Sequence, residues 1–249
     1  MQPPAADPFA PGAGHAPRPA DRLRSAAEVV LMSGYPTQFA IGLLLIGAGL
    51  DVRLPGGDLS LRYVVALWSL DAAAILALAV ALSHARHEPL TTWLFGRRPA
   101  WREVWLGLAM APVVFGLVVA GLAAVGALMP GLHNVPVNPF EQMIQSRWDA
   151  AALGAVAVVS GGFKEEVQRA FVLRRFEADL GGPWVGLVIF SLAFGAGHFL
   201  QGWDVGVVTT LLGLFWGVVY LKRRSIVAPA ISHAGFNVAQ IVQFLVFGS

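Results

Sequence analysis

Apolar residues fill long stretches of this chain with little interruption. A run of about 20 such residues is long enough for a helix to cross a bilayer. Seven are found, roughly over 27–50, 62–82, 104–129, 150–176, 184–199, 205–221 and 226–247. Pro36 divides the first into an interfacial piece and a span. The fourth turns amphipathic in its second half. The pattern predicts an all-α fold, a polytopic transmembrane helix bundle of about seven to eight spans. Residues 1–24, MQPPAADPFAPGAGHAPRPADRLR, are rich in Pro, Ala and Gly without helical periodicity. They read as a disordered N-terminal tail, and residues 25–249 as one transmembrane domain. No short apolar core with a cleavage site follows the start, so the first membrane helix is expected to remain as an uncleaved anchor.

Composition supports the membrane assignment. The chain is 56% hydrophobic and 13% charged, where a soluble domain has about 25% charged residues. It has no cysteine, which excludes a disulfide framework, a thiolate metal site and a cysteine nucleophile. The net charge of +2 gives no reason to expect a nucleic-acid partner. The basic residues are distributed unevenly. With the N-terminus inside, the cytoplasmic side receives Arg18, Arg22, Arg24, Arg86, Arg97, Arg98, Arg102, Arg174, Arg175, Lys222, Arg223 and Arg224. The other side receives only Arg53, Arg62 and Arg147. Cytoplasmic loops carry the excess of Lys and Arg, so a multi-pass protein of the inner (plasma) membrane with a cytoplasmic N-terminus is expected. No internal repeat of the transporter kind is visible.

A few ionisable residues fall inside the spans: Asp71, Lys164, Glu165, Glu166, Arg169, His198 and His233. Such groups face the interior of a bundle and often mark function. Four of them crowd into GGFKEEVQRAF, residues 161–171. On a regular helix Glu165 lies four before Arg169 and shares its face, and Glu166 lies three before it. Arg169 occupies one carboxylate, leaving the other available for chemistry. His198 ends an apolar helix one turn after Phe194, with Gly195 and Gly197 allowing close helix approach. His233 and Asn237 are four apart and point the same way. Two histidines with an asparagine and a carboxylate make a credible catalytic set. Asp71 belongs to no such group and is expected to be structural or to line a cavity.

These residues resemble the motifs of the CPBP family of intramembrane proteases, which includes CAAX prenyl endopeptidases and bacterial proteins linked to bacteriocin processing and self-immunity. The family pattern is Glu-Glu-x-x-x-Arg, then Phe-x-x-x-His, then His-x-x-x-Asn. Phe194 and His198 match the second motif, and His233 and Asn237 the third. The resemblance covers about 155–247. The first motif departs, because Glu165-Glu166-Val167-Gln168-Arg169 is one residue short. Aligned on Arg169, Lys164 falls on the family's catalytic Glu and Glu165 on its supporting Glu. Glu165 is taken as the catalytic carboxylate and Glu166 as the reserve, which only a helix distorted near Gly161-Gly162 would bring to the histidines.

The resemblance implies a glutamate-type intramembrane endopeptidase. Glu165 or Glu166, assisted by His198, deprotonates a water; His233 and Asn237 donate hydrogen bonds to the oxyanion; Arg169 and Phe194 support the site. It implies no cofactor and no obligatory metal. The partners are the lipid bilayer and a membrane-associated peptide or protein substrate, lipidated in some members. Three alternatives remain at this point. They are a zinc protease using His198, His233 and a Glu, a non-catalytic scaffold or immunity factor, and a proton-coupled transporter.

Overall fold

The computed structural model describes residues 17–247. Helices α1 (Pro19–Met32) and α2 (Tyr35–Gly47) form a pair bent by 45°. Each begins with a proline in its first turn, where the missing N–H has no helical partner in any case. The break falls at Gly34, whose φ of 85° is left-handed. The Gln168 side chain crosses to donate to the Met32 carbonyl at 2.8 Å, which satisfies the end of α1. The division expected at Pro36 is therefore present.

Helix α3 (Leu61–Ala85) starts at Ser60, whose hydroxyl accepts from the Tyr63 amide. The short α4 (Leu90–Phe95) leads into α5 (Ala100–Leu128). After a connection containing α6 (Pro139–Gln142) the chain enters α7 (Arg147–Val156). A π-helical segment, Ala157–Lys164, joins α7 directly to α8 (Glu165–Asp179). Helices α9 (Pro183–Ala196), α10 (Trp203–Arg223) and α11 (Val227–Phe247) complete the bundle.

Among the described residues five helices, α3, α5, α9, α10 and α11, are long and apolar enough to span a membrane, and the bent α1–α2 pair makes a sixth. The fourth of the seven expected stretches is not among them. It is three consecutive helical pieces, and its last piece carries Glu165, Glu166, Arg169, Arg174, Arg175, Glu177 and Asp179. That charge is tolerated because α8 is enclosed by protein, not lipid: Val167, Ala170, Phe171 and Leu173 are fully buried together with Ile75 and Trp93. The expected tail needs a smaller correction, since α1 begins at Pro19 and residues 19–24 are helical. The rest of the tail, residues 1–16, lies outside the described residues.

Ion pairs tie one end of the bundle. Glu28 of α1 meets Arg86 and Arg175 at 2.9 and 2.5 Å. Glu88 meets Arg174 and Arg175, both at 2.8 Å. Arg223 pairs with Glu103, and Arg224 with Glu177 at 2.6 Å. The same end therefore holds the second half of α1, the start of α5 and the finish of α3, α8 and α10. At the opposite end the α5–α7 connection lies across the α9–α10 break. There His133 Nδ1 lies 2.8 Å from Asp204, and the Trp203 amide donates to Asn134 at 2.9 Å.

Candidate active site

The site is built around the π-helical segment. A π-turn holds one more residue than an α-turn, so it changes which face the following helix turns toward its neighbours. Two contacts with α11 hold it in place. The Asn237 amide donates to the Ala157 carbonyl at 3.0 Å. Gly162 lies against the α11 backbone; a Cβ there would sit 2.6 Å from Ala234 Cβ and 3.0 Å from the Ala234 amide nitrogen. Only glycine permits that approach.

The segment delivers the two glutamates to opposite sides of His233. Glu166 is 1% exposed and pairs with the buried Arg169, three positions on. Its Oε1 is also 3.0 Å from His233 Nδ1. The Arg169 guanidinium is surrounded by the rings of Phe190, Phe194 and Trp216, each within 5.6 Å. Glu165 keeps 21% of its side chain exposed, and its Oε2 lies 3.8 Å from His233 Nε2. Arg169, expected to occupy one of the two carboxylates, therefore takes Glu166, three positions before it on α8, and leaves Glu165 toward the cavity.

Lys164, which falls on the family's glutamate position, is turned away from that role. It is 2% exposed and donates to Asp71 Oδ2 at 3.0 Å, while Thr37 donates to Asp71 Oδ1 at 2.6 Å. Its Nζ also lies 3.9 Å from Glu165 Oε1. Asp71, expected to be structural or to line a cavity, is fully buried against Lys164, and nothing in the sequence links the two, 93 positions apart.

A cavity of ≈ 730 Å³ collects most of the remaining site residues. Lys164, Glu165, His198, His233 and Asn237 all line it, with Phe194 between the two histidines. His198 Nδ1 lies 2.8 Å from the Phe194 carbonyl. A carbonyl only accepts, so Nδ1 carries the proton and Nε2 holds the free lone pair. His233 stacks on Trp216 with ring centres 3.9 Å apart. Its Nδ1 faces the Glu166 carboxylate, so Nε2 can donate only when the ring is an imidazolium. Asn237 spends one amide hydrogen on Ala157 and retains a second. Glu166 and Arg169 do not line the cavity; they stand behind it. Among the described residues no group of three or more His, Asp or Glu is arranged to hold a metal ion.

Residues 147–239 match the family model described as type II CAAX prenyl endopeptidase, Rce1-like. The match covers less than half of the chain. No curated protein and no solved structure matches the chain. The matched stretch begins with α7 and ends in α11, so it contains the π-segment, both glutamates, both histidines and Asn237. The cavity walls contributed by α5 and the α5–α7 connection lie outside it.

Sequence reasoning missed two partners in this site. One is Asp71, the counter-ion of Lys164. The other is Trp216, the platform under His233. An aspartate alone in an apolar span was a signal that some cation had to meet it. An aromatic residue in an apolar helix gave no such signal.

Proposed function

We propose that this protein is an intramembrane endopeptidase of the glutamic type, with Glu165 as the catalytic carboxylate. One observation carries this reading: of the paired glutamates, Glu166 is buried against Arg169, while Glu165 faces the cavity beside the histidines. The π-segment sets the phase of α8, which supports this reading: Glu165 turns to the cavity and Glu166 to Arg169 and His233.

In this mechanism Glu165 and the free Nε2 of His198 position a water and accept its proton. The hydroxide attacks the scissile carbonyl, and the proton passes to the leaving amine. The second amide hydrogen of Asn237 and the imidazolium form of His233 donate to the oxyanion, each contributing about 3 kcal/mol at the transition state. Glu166 accepts from His233 Nδ1 and holds the ring; Arg169 balances the charge of Glu166. The role of Phe194 is to separate and orient the histidines. The substrate is a peptide or protein associated with the membrane. The uneven distribution of arginine among the loops supports a cytoplasmic N-terminus.

The test is a set of purified variants, Glu165→Gln, Glu166→Gln and Lys164→Ala, assayed against a library of membrane peptides. Loss of turnover in Glu165→Gln, by roughly 10²-fold or more, with the parent's melting behaviour, is the expected result. Unchanged cleavage by Glu165→Gln would remove the glutamate mechanism. The scaffold reading takes its place if the parent cleaves nothing and His198→Ala leaves the protein's cellular role unchanged.

A further inference from the structure

The cavity has a closed end and an open one. Its closed end is formed by Lys164, Gln168 and Trp216, all 3% exposed or less. None of the residues in the ion-paired end of the bundle lines it. Its lining continues instead to His133, Val135, Pro136, Gln201 and Asp204, at the opposite end. His133 there is 59% exposed. The catalytic groups are thus reached from the end where Arg53, Arg62 and Arg147 are the sole basic residues outside the site.

The open end also has a side. Helices α5 and α11 touch closely at Gly107 and Ile231, and again where Gly235 meets Ala111. Their ring contact at Phe115 and Phe236 has centres 6.4 Å apart. Beyond that point both helices line the cavity: Val119 and Leu122 from α5, Gln240, Gln243 and Phe244 from α11. Val119 is itself 56% exposed on the outer surface of α5. One wall of this cleft is apolar and the other carries two glutamine amides. A peptide must be extended to be cut, and within a bilayer its bared N–H and C=O groups need partners. Gln240 and Gln243 can supply them, and the apolar wall suits the lipid-facing part of the same segment.

We propose that the substrate is the membrane-anchored segment of an exported protein, admitted between the outer halves of α5 and α11 and cut near the non-cytoplasmic face. The side assignment follows from the position of the arginines, and the proposal rests on the endopeptidase reading above. A substrate presented from the cytoplasm would have to pass the ion-paired end, where Arg175 and Glu103 are fully buried.

The chain has no native cysteine, so single-cysteine variants report their own position. Val135→Cys and Gln243→Cys stand at the open end, and Arg98→Cys and Lys222→Cys at the other. In intact cells a membrane-impermeant maleimide is expected to label Val135→Cys, and to label Arg98→Cys and Lys222→Cys only after permeabilisation. In detergent, a bulky maleimide on Gln243→Cys is expected to lower turnover of the membrane-peptide library at least ten-fold. The same label on Val242→Cys, on the adjoining outer surface of α11 (51% exposed), is expected to leave it unchanged. The proposal is overturned if Val135→Cys is protected until permeabilisation, or if blocked Gln243→Cys cleaves as fast as unblocked. External labelling without any turnover in the unlabelled parent removes the endopeptidase reading itself, and the substrate assignment with it.

Discussion

The Lys164 ammonium lies 3.0 Å from the Asp71 carboxylate, and both side chains are buried between α3 and the π-helical segment. The residue that breaks the family motif is therefore neutralised by an aspartate outside the motif. Thr37 and Gln38 of α2 complete the hydrogen bonding of that aspartate.

The pair sets a first prediction. Asp71→Asn leaves a buried cation without its counter-charge, a change that destabilises by about 3–5 kcal/mol. Lys164→Met with Asp71→Leu removes both charges and is expected to recover most of that loss. Thermal unfolding of the two proteins in detergent checks this. Equal melting of Asp71→Asn and the parent would show that the pair contributes little.

Glu165 and Glu166 are expected to separate activity from stability. Glu165→Gln should fold like the parent, because its side chain reaches the cavity. Glu166→Gln leaves Arg169 as an uncompensated buried charge and is expected to lower stability by several kcal/mol as well as activity. Comparing melting curves with turnover for the two variants distinguishes the roles; identical losses of stability would contradict the assignment.

Gly162→Ala should disturb the site without touching any catalytic group. The added methyl would press on the backbone of Ala234. Overpacking of this kind destabilises by about 1–3 kcal/mol, and relief by separating α11 from the π-segment would move His233 from Glu165. Turnover is expected to fall at least ten-fold with the variant still folded by circular dichroism. An unimpaired Gly162→Ala enzyme would mean that the close contact is not needed.

Exhaustive chelation is expected to leave peptidase activity intact, since Glu165 and His198 supply the base that activates water. Activity lost to a chelator and restored by zinc would instead favour a ligand set including His198, His233 and a glutamate.

The ion-paired end predicts an acid sensitivity. Burial pushes the Glu88 carboxyl up, but the Arg174 hydrogen bond and the Arg175 and Arg174 charges outweigh it and hold it below its ordinary 4.5. A group lowered on folding stabilises above its unfolded pKa and loses that contribution as pH falls through the folded one. The parent should therefore lose stability below about pH 4.5. Glu88→Gln should be less stable at neutral pH and show a shallower acid loss. Parallel pH–melting curves for the two would count against it.

The sequence alone determined the helical, membrane-spanning class, because about 20 apolar residues in a row have few other uses. It also determined which residues belong together. His198, His233, Asn237 and the glutamates are polar groups in apolar surroundings, and such groups must face one another. What it could not decide was the phase of α8. Spacing on a regular helix allows Arg169 either glutamate; the phase that the π-segment gives α8 leaves Glu166 with Arg169 and turns Glu165 to the cavity, and Gly161 and Gly162 of that segment lie against Asn237 and Ala234 on a helix some 70 residues later. Nor could it pair Asp71 with Lys164, since electrostatic attraction acts through space and the two are joined by the packing of α3 alone. The cavity was hidden from the sequence for the same reason. Periodicity describes each helix by itself, whereas a cavity lies between helices, and only the folded bundle brings its lining together.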